Sequence, residues 1–400
     1  MTEEALGREP RRHYGSLEHT IQAMRSYRPL DLNAGVWRSA HPGGSYDEWA
    51  REARECLATG LHYDPGPLDL NAKTLERDET ESFIREKIEF NTAPWFRVPG
   101  YFYVPKNVSL PAPAIVLLHA WGGPMLFGAD RVSGEPVHPR VQQHRDQGTS
   151  GRALADWYAS NGYAVIVIDA YHFGRRAPRG IRMGAKSYRD ALAVPDEYDP
   201  ATLDEETLER YDEITKSRDF LWLAERHLMW AGTTWAGVNY GDDSRSIDYL
   251  LSRKEVDGTR IGCTGYSVGG WRTNILAALE PRIKAAVSVG WMTTGDTQQS
   301  YAVYGAVGNF AMLPGVWNRI DIPDLIAMAA PKACMVVSMT QDELFPPEGQ
   351  REAARQIASA YEWAGCPDRF KSYMPAKPHC YDQEIQQEAL KWFDKHLKGR

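Results

Sequence analysis

Short apolar runs recur along the last three-quarters of the chain, each followed by a stretch with helical spacing. The runs are Ala114–Leu118, Tyr163–Ile168, Arg260–Cys263, Lys284–Val289, Ala333–Ser338 and Phe370–Met374. They lack polar alternation, as strands buried on both faces do. Helical patterns separate them at Gly151–Ser160, Asp243–Ser252, Val268–Leu279, Gly349–Trp363 and Gln383–Leu397. Strands alternating with helices predict an α/β architecture, a mostly parallel central sheet flanked by helices.

Ahead of that alternation, residues 1–88 read as a helical extension, with residues 89–400 as the main domain. Ser45 is placed to cap a helix from Tyr46 to about Ala58, with Trp49, Ala53, Cys56 and Leu57 on one face. From Lys87 to Val104, β-branched and aromatic residues are broken by Thr92-Ala93-Pro94 and Pro99-Gly100, which predicts strands joined by tight turns. A segment of about 172–241 is too long for a single crossover. Its middle, Leu203–Met229, has a helical pattern, so an inserted helical subdomain is expected near the mouth of any site. That insertion offers Trp222, Trp230 and Trp235 as wall residues, or alternatively a subunit interface.

Composition narrows the function. At 43% hydrophobic and 25% charged, the 400 residues are those of an ordinary globular protein. The net charge of −7 disfavours nucleic acid or an anionic membrane as partner. A secretory leader and a spanning segment are both missing from the pattern, so a cytoplasmic location is expected. The five cysteines are scattered and odd in number, which reads as reduced thiols. His138, His144 and His172 lack ligand spacing, so neither a metal nor a cofactor is expected. The expected partner is a small molecule, with a homo-oligomer built through the extension or the insertion as a further expectation.

The chemistry gathers around Gly265-Tyr266-Ser267-Val268-Gly269. A strand runs directly in (Arg260–Gly265) and a helix directly out (Trp271–Leu279), as a nucleophile on a sharp strand-to-helix turn requires. A serine hydroxyl needs a base, and the base an orienting carboxylate. His379 follows the last strand, where a base must stand, whereas His396 lies within the terminal amphipathic helix. Asp342 follows the strand ending near Thr340 and is the candidate acid, with Glu343 as its rival. Asp296 and Asp321 read as loop carboxylates or helix caps. For the oxyanion, the candidate donors are the backbone N–H groups of Val268 and of Trp121, with Gly122 as alternative to Trp121. His119 reads as structural. Tyr266, Trp291 and Met292 are candidates to line the substrate pocket, each also plausible as core.

Taken as a set, these stretches resemble the dienelactone-hydrolase and acetyl-xylan-esterase branch of the α/β-hydrolases, related to the prolyl-oligopeptidase-like proteins. The resemblance rests on His119-Ala-Trp-Gly-Gly123, Ile247-Asp-Tyr-Leu250 with Val256-Asp257, and Arg260–Gly270. It continues through Ile322–Pro331, Asp342-Glu-Leu-Phe-Pro346 and His379, covering roughly residues 110–400. It implies the α/β-hydrolase fold and a serine hydrolase cleaving a carboxylic ester of a small molecule through an acyl-enzyme. Dienelactone hydrolases carry a Cys where this chain has Ser267, and deacetylase-like members usually carry a Gln where it has Val268. Cleavage of a carbon–carbon or amide bond by the same triad is the alternative. A binding protein on a hydrolase scaffold is the non-enzymatic one.

Overall fold

A computed structural model of the chain describes residues 20, 23, 27–134, 136, 138–178, 199, 202–216, 218–301 and 309–399, without the side chains of 218–222, 299–301 and 309. Among these, nine strands form one sheet. They are β1 (Lys73–Glu79), β2 (Phe83–Ala93), β3 (Phe96–Pro105), β4 (Ala112–Leu118), β5 (Ala164–Ile168), β6 (Val256–Tyr266), β7 (Ile283–Val289), β8 (Ala333–Val337) and β9 (Phe370–Tyr373). The spatial order is β1-β2-β3-β5-β4-β6-β7-β8-β9. The first three strands form an antiparallel meander, β3 runs antiparallel to β5, and β5 through β9 are parallel.

The predicted strands are all present; β4, β5 and β8 are buried on both faces, whereas β9 at the sheet edge is only half-buried. In β4, Ala114, Val116 and Leu118 enter the core on one side while Ile115 and Leu117 enter the core on the other. β1 is different. Its seven residues are all exposed, and no apolar alternation marks them. Cross-strand charge holds it to β2 instead: Lys87 reaches Glu76 at 2.7 Å and Arg85 reaches Asp78 at 2.8 Å.

The helices, in chain order, are α1 (Ala34–Ala40), α2 (Tyr46–Leu61), α3 (Pro139–Thr149), α4 (Leu154–Ser160), α5 (Glu205–Thr215) and α6 (Arg218–Trp230). They continue as α7 (Trp235–Leu251), α8 (Val268–Leu279), α9 (Gly295–Tyr301), α10 (Asp324–Ala327), α11 (Pro347–Trp363) and α12 (Gln383–Phe393). Ser45 caps α2 as expected, in a reciprocal capping box with Glu48. The face of α2 carrying Trp49, Ala53 and Leu57 is closed to solvent. Tyr46 donates its hydroxyl hydrogen bond to the Ala327 carbonyl at 2.8 Å. The extension therefore shares the main core. The expected boundary at residue 88 falls inside β2, and the sheet already begins at Lys73.

Chain order explains where a site can form. From β4 the chain passes to β5 on one side and later returns to β6 on the other. The loops leaving the carboxyl ends of β4 and β6 diverge there, and such a switch point opens a crevice. Those two loops carry His119–Gly123 and Ser267.

Candidate active site

Ser267 links β6 directly to α8 with φ 59° and ψ −122°. That backbone conformation costs a non-glycine residue about 1–3 kcal/mol and persists only where its surroundings impose it. The flanking glycines show what imposes it. A methyl group at Gly269 would stand 2.0 Å from the Leu118 carbonyl oxygen, and one at Gly265 would stand 2.4 Å from the backbone of Gly269. Strand, turn and helix thus approach closely enough to exclude any side chain. Ser267 N–H is tied to the Val289 carbonyl at 2.9 Å.

His379 stands beside this turn. A methyl group on Gly290, the residue after Val289, would lie 3.0 Å from His379 Cε1. His379 Nδ1 lies 2.5 Å from Asp342 Oδ2, and the Asp342 side chain is 1% exposed. Its other oxygen accepts the Leu344 N–H at 2.9 Å. Glu343 points into solvent. His379 Nε2 is buried and has no hydrogen-bond partner among the described residues. With Nδ1–H held by Asp342, the lone pair sits on Nε2.

Two supports for this pair were not read from the sequence. Gln350, buried on α11, donates to the carbonyls of Met339 and Phe345 at 2.8 and 2.7 Å, closing the loop that carries Asp342. Tyr381, fully buried, anchors the loop after His379 through its hydroxyl, 2.6 Å from that of Tyr158. A lone Gln in a helix and a lone Tyr in a loop give no local signal, since their partners are distant in sequence.

Val268 is the first residue of α8, so its N–H has no acceptor within the helix. Facing it across the crevice is the loop after β4. There His119 is buried, its Nε2 accepting the Ala170 N–H at 3.0 Å. Burial and the neighbouring Arg131 hold its pKa well below the usual histidine range, so it is a neutral structural group. Trp121 is half-buried among Phe173, Trp235 and Phe310, at ring separations of 5.2, 5.5 and 5.5 Å.

The three residues expected to line the pocket are all closed to solvent. Tyr266 packs its ring 4.7 Å from that of His379 and donates its hydroxyl to the His379 carbonyl at 2.9 Å. Trp291 lies between Trp271 and Phe345, at 4.4 and 5.4 Å, and Met292 is buried beside it. Of the insertion's tryptophans, Trp235 is buried against Trp121, but Trp230 is 85% exposed and forms no wall. The side chain of Trp222 lies outside the described residues.

The remaining titratable candidates sit elsewhere. His396 packs against Trp392 in the terminal turn, the ring centres 4.2 Å apart and the planes tilted by 58°. Asp321 accepts the N–H groups of Gly295 and Ile322, at 2.7 and 2.8 Å, as a loop cap does. Asp296 is exposed beside Arg28. His138 accepts the Arg140 N–H at the start of α3, while His144 is half-buried and His172 buried, both pushed down to about 3 by desolvation. Among the described residues no three ligating side chains meet.

A mostly parallel nine-stranded sheet flanked by helices, with a serine on the sharp turn between β6 and α8, is the α/β-hydrolase fold. Within it, residues 148–304 match the dienelactone hydrolase family. The chain is 24% identical over 346 residues to "Putative hydrolase YtaP" of Bacillus subtilis, covering 86% of this chain and 99% of that one. Among solved structures, a "putative acetyl xylan esterase" of Bacteroides fragilis superposes with a TM-score of 0.67 at 19% identity, covering 92% of this chain and 84% of that one. A glucuronoyl esterase from Solibacter usitatus gives 0.59 at 16% identity, with coverages of 90% and 93%. No described helix is long and apolar enough to cross a membrane.

Proposed function

We propose that this protein hydrolyses a carboxylic ester of a small molecule through an acyl-enzyme on Ser267. The observation that carries this reading is the pairing of a strained elbow serine with a His379–Asp342 hydrogen bond of 2.5 Å on the loops beside it. His379 Nε2 takes the Ser267 proton as Oγ attacks the ester carbonyl carbon. Asp342 keeps the imidazole in the required tautomer and stabilises the imidazolium. The N–H groups of Val268 and Trp121 receive the oxyanion. Collapse of the tetrahedral intermediate expels the alcohol, which recovers the proton from His379. Water, deprotonated by the same nitrogen, then releases the acid. Ester hydrolysis is also the activity named for the two solved relatives above.

The test is labelling by a fluorophosphonate together with turnover of short p-nitrophenyl esters. Wild type is expected to label at Ser267 and to turn over. Ser267→Ala should do neither while keeping its thermal transition, with a loss of about 10⁴-fold or more in kcat. Turnover of a β-diketone or amide panel with inert esters would replace ester hydrolysis by the alternative reaction. Labelling absent from Ser267 would overturn the proposal.

A further inference from the structure

Arg131 is 1% exposed, and its hydrogen bonds are unusual in their direction. Nη2 donates to the Ala120 carbonyl at 2.5 Å, Nη1 to the Trp121 carbonyl at 3.3 Å, and Nη1 also to the Gly122 carbonyl. Nε reaches the Gly128 carbonyl at 3.4 Å. Asp169, Asp212 and Asp130 act on it only through space, and no carboxylate is in ion-pair contact with it among the described residues. The guanidinium lies 4.8 Å from the centre of the Phe173 ring, which closes one face. Burial lowers its pKa to about 9, which leaves it charged at neutral pH.

A buried cation without a counter-ion is costly, so its surroundings must return something for it. Apart from the Gly128 carbonyl and His119 Nδ1, which lies 2.6 Å from Nη2, the returns fall on one segment. The carbonyls of Ala120, Trp121 and Gly122 belong to the peptide groups whose N–H is that of Trp121, Gly122 and Gly123. These are the donors the loop after β4 can offer to an oxyanion. A peptide is planar, with C=O and N–H on opposite sides. A charge-assisted bond to its oxygen therefore fixes the direction of its N–H and strengthens it as a donor. Arg131 is itself held: Arg145 donates to the Arg131 carbonyl at 2.9 Å and to that of Gly134 at 2.8 Å.

From this the geometry assigns Arg131 the role of positioning residue for the oxyanion site, its guanidinium orienting and polarising the peptide N–H that pairs with that of Val268. It rests on the esterase reading above. Only a planar fork with several donors can hold successive carbonyls at once, so Lys cannot replace it fully. Because the group touches peptide oxygens and never the substrate, its effect belongs to the transition state, where charge on the ester oxygen is largest.

The experiment compares wild type with Arg131→Met and Arg131→Lys on p-nitrophenyl acetate, alongside two inhibitors. One is a trifluoromethyl ketone, which adds Ser267 and forms the oxyanion; the other is the product carboxylic acid, which does not. For Arg131→Met the expected result is a fall of about 10²-fold in kcat with KM within threefold. Trifluoromethyl ketone affinity should fall in parallel while product affinity is unchanged, and Arg131→Lys should lie between. The inference is overturned if a folded Arg131→Met keeps kcat and ketone affinity within threefold of wild type. It is equally overturned if product affinity falls as far as ketone affinity, which marks general damage to the site. Should Arg131→Met not fold, the same two criteria are applied to Arg131→Lys. A wild type that neither turns over ester nor labels at Ser267 removes the esterase reading and this role with it; labelled wild type with unaffected variants removes this role alone.

Discussion

Asp342 and Glu343 are adjacent carboxylates with opposite fates. The first is buried and 2.5 Å from His379 Nδ1, the second points into water. Asp342→Asn keeps the shape but offers Nδ1 an amide, which favours the wrong imidazole tautomer. A fall in kcat of about 10³–10⁴-fold is expected, with slow but detectable phosphonate labelling. Glu343→Gln should stay within about twofold of wild type, since an exposed carboxylate beyond contact adds little to the site. Steady-state kinetics on one ester, with both variants side by side, checks the assignment. The reverse pattern would move the acid by one residue.

At the level of elements, the loop after β8 depends on α11 for its shape. Gln350→Leu removes the amide that serves the carbonyls of Met339 and Phe345. Leaving a buried carbonyl unpaired costs about 1–3 kcal/mol. A drop in Tm of several degrees is expected, with a lower kcat because Asp342 rides on that loop; unchanged values for both would show that the staple is idle. α6 carries a different stress. Glu225 is buried there, and desolvation raises its carboxyl to about 8. Its folded pKa thus lies above the unfolded value, so the stability linked to the protonated form is complete below about pH 4.5. That stability is lost as pH rises towards 8. Glu225→Gln keeps a neutral group, so the Tm difference between variant and wild type should grow in favour of Gln from pH 5 to pH 8.5 and then level off. Melting curves across that range check the sign; a constant difference would mean that Glu225 has the same pKa in the folded and the unfolded chain.

At the level of the whole molecule, the segment between β5 and β6 reaches back over the switch point. Trp235, at the start of α7, packs on Trp121 at 5.5 Å, in the loop proposed to supply an oxyanion donor. Trp230, a few residues earlier, is 85% exposed. The expectation that both wall the site is therefore replaced by an asymmetric one. Trp235→Ala should change the ratio of kcat/KM between short and bulky esters, by about tenfold. Trp230→Ala should leave that ratio unchanged. A uniform loss for Trp235→Ala on every ester would assign it to support of the Trp121 loop and remove it from specificity. For Trp230, a change in sedimentation without a change in kinetics would mark a subunit contact.

The apolar runs were enough to place β4 to β8, since strands buried on their inner faces leave a continuous signal; β9, half-buried at the edge, was marked by its aromatic residues. The Gly-x-Ser-x-Gly turn was equally legible, because the close approach of Gly269 to Leu118 forbids a side chain in any context. His379 and Asp342 could be selected from chain order alone and stand together in the structure. β1 was silent, because charge pairs with β2 hold it and no core does. The pocket candidates carry a related ambiguity. Aromatic identity says that Tyr266, Trp291 and Trp230 suit a cavity wall, but only packing decides that the first two are enclosed and the third faces water. Arg131, Gln350 and Tyr381 had no sequence signal at all. Their partners are backbone carbonyls and hydroxyls brought close by the fold, and a carbonyl has the same covalent structure in every residue. Which of them would need a donor was settled only when the chain had closed on itself.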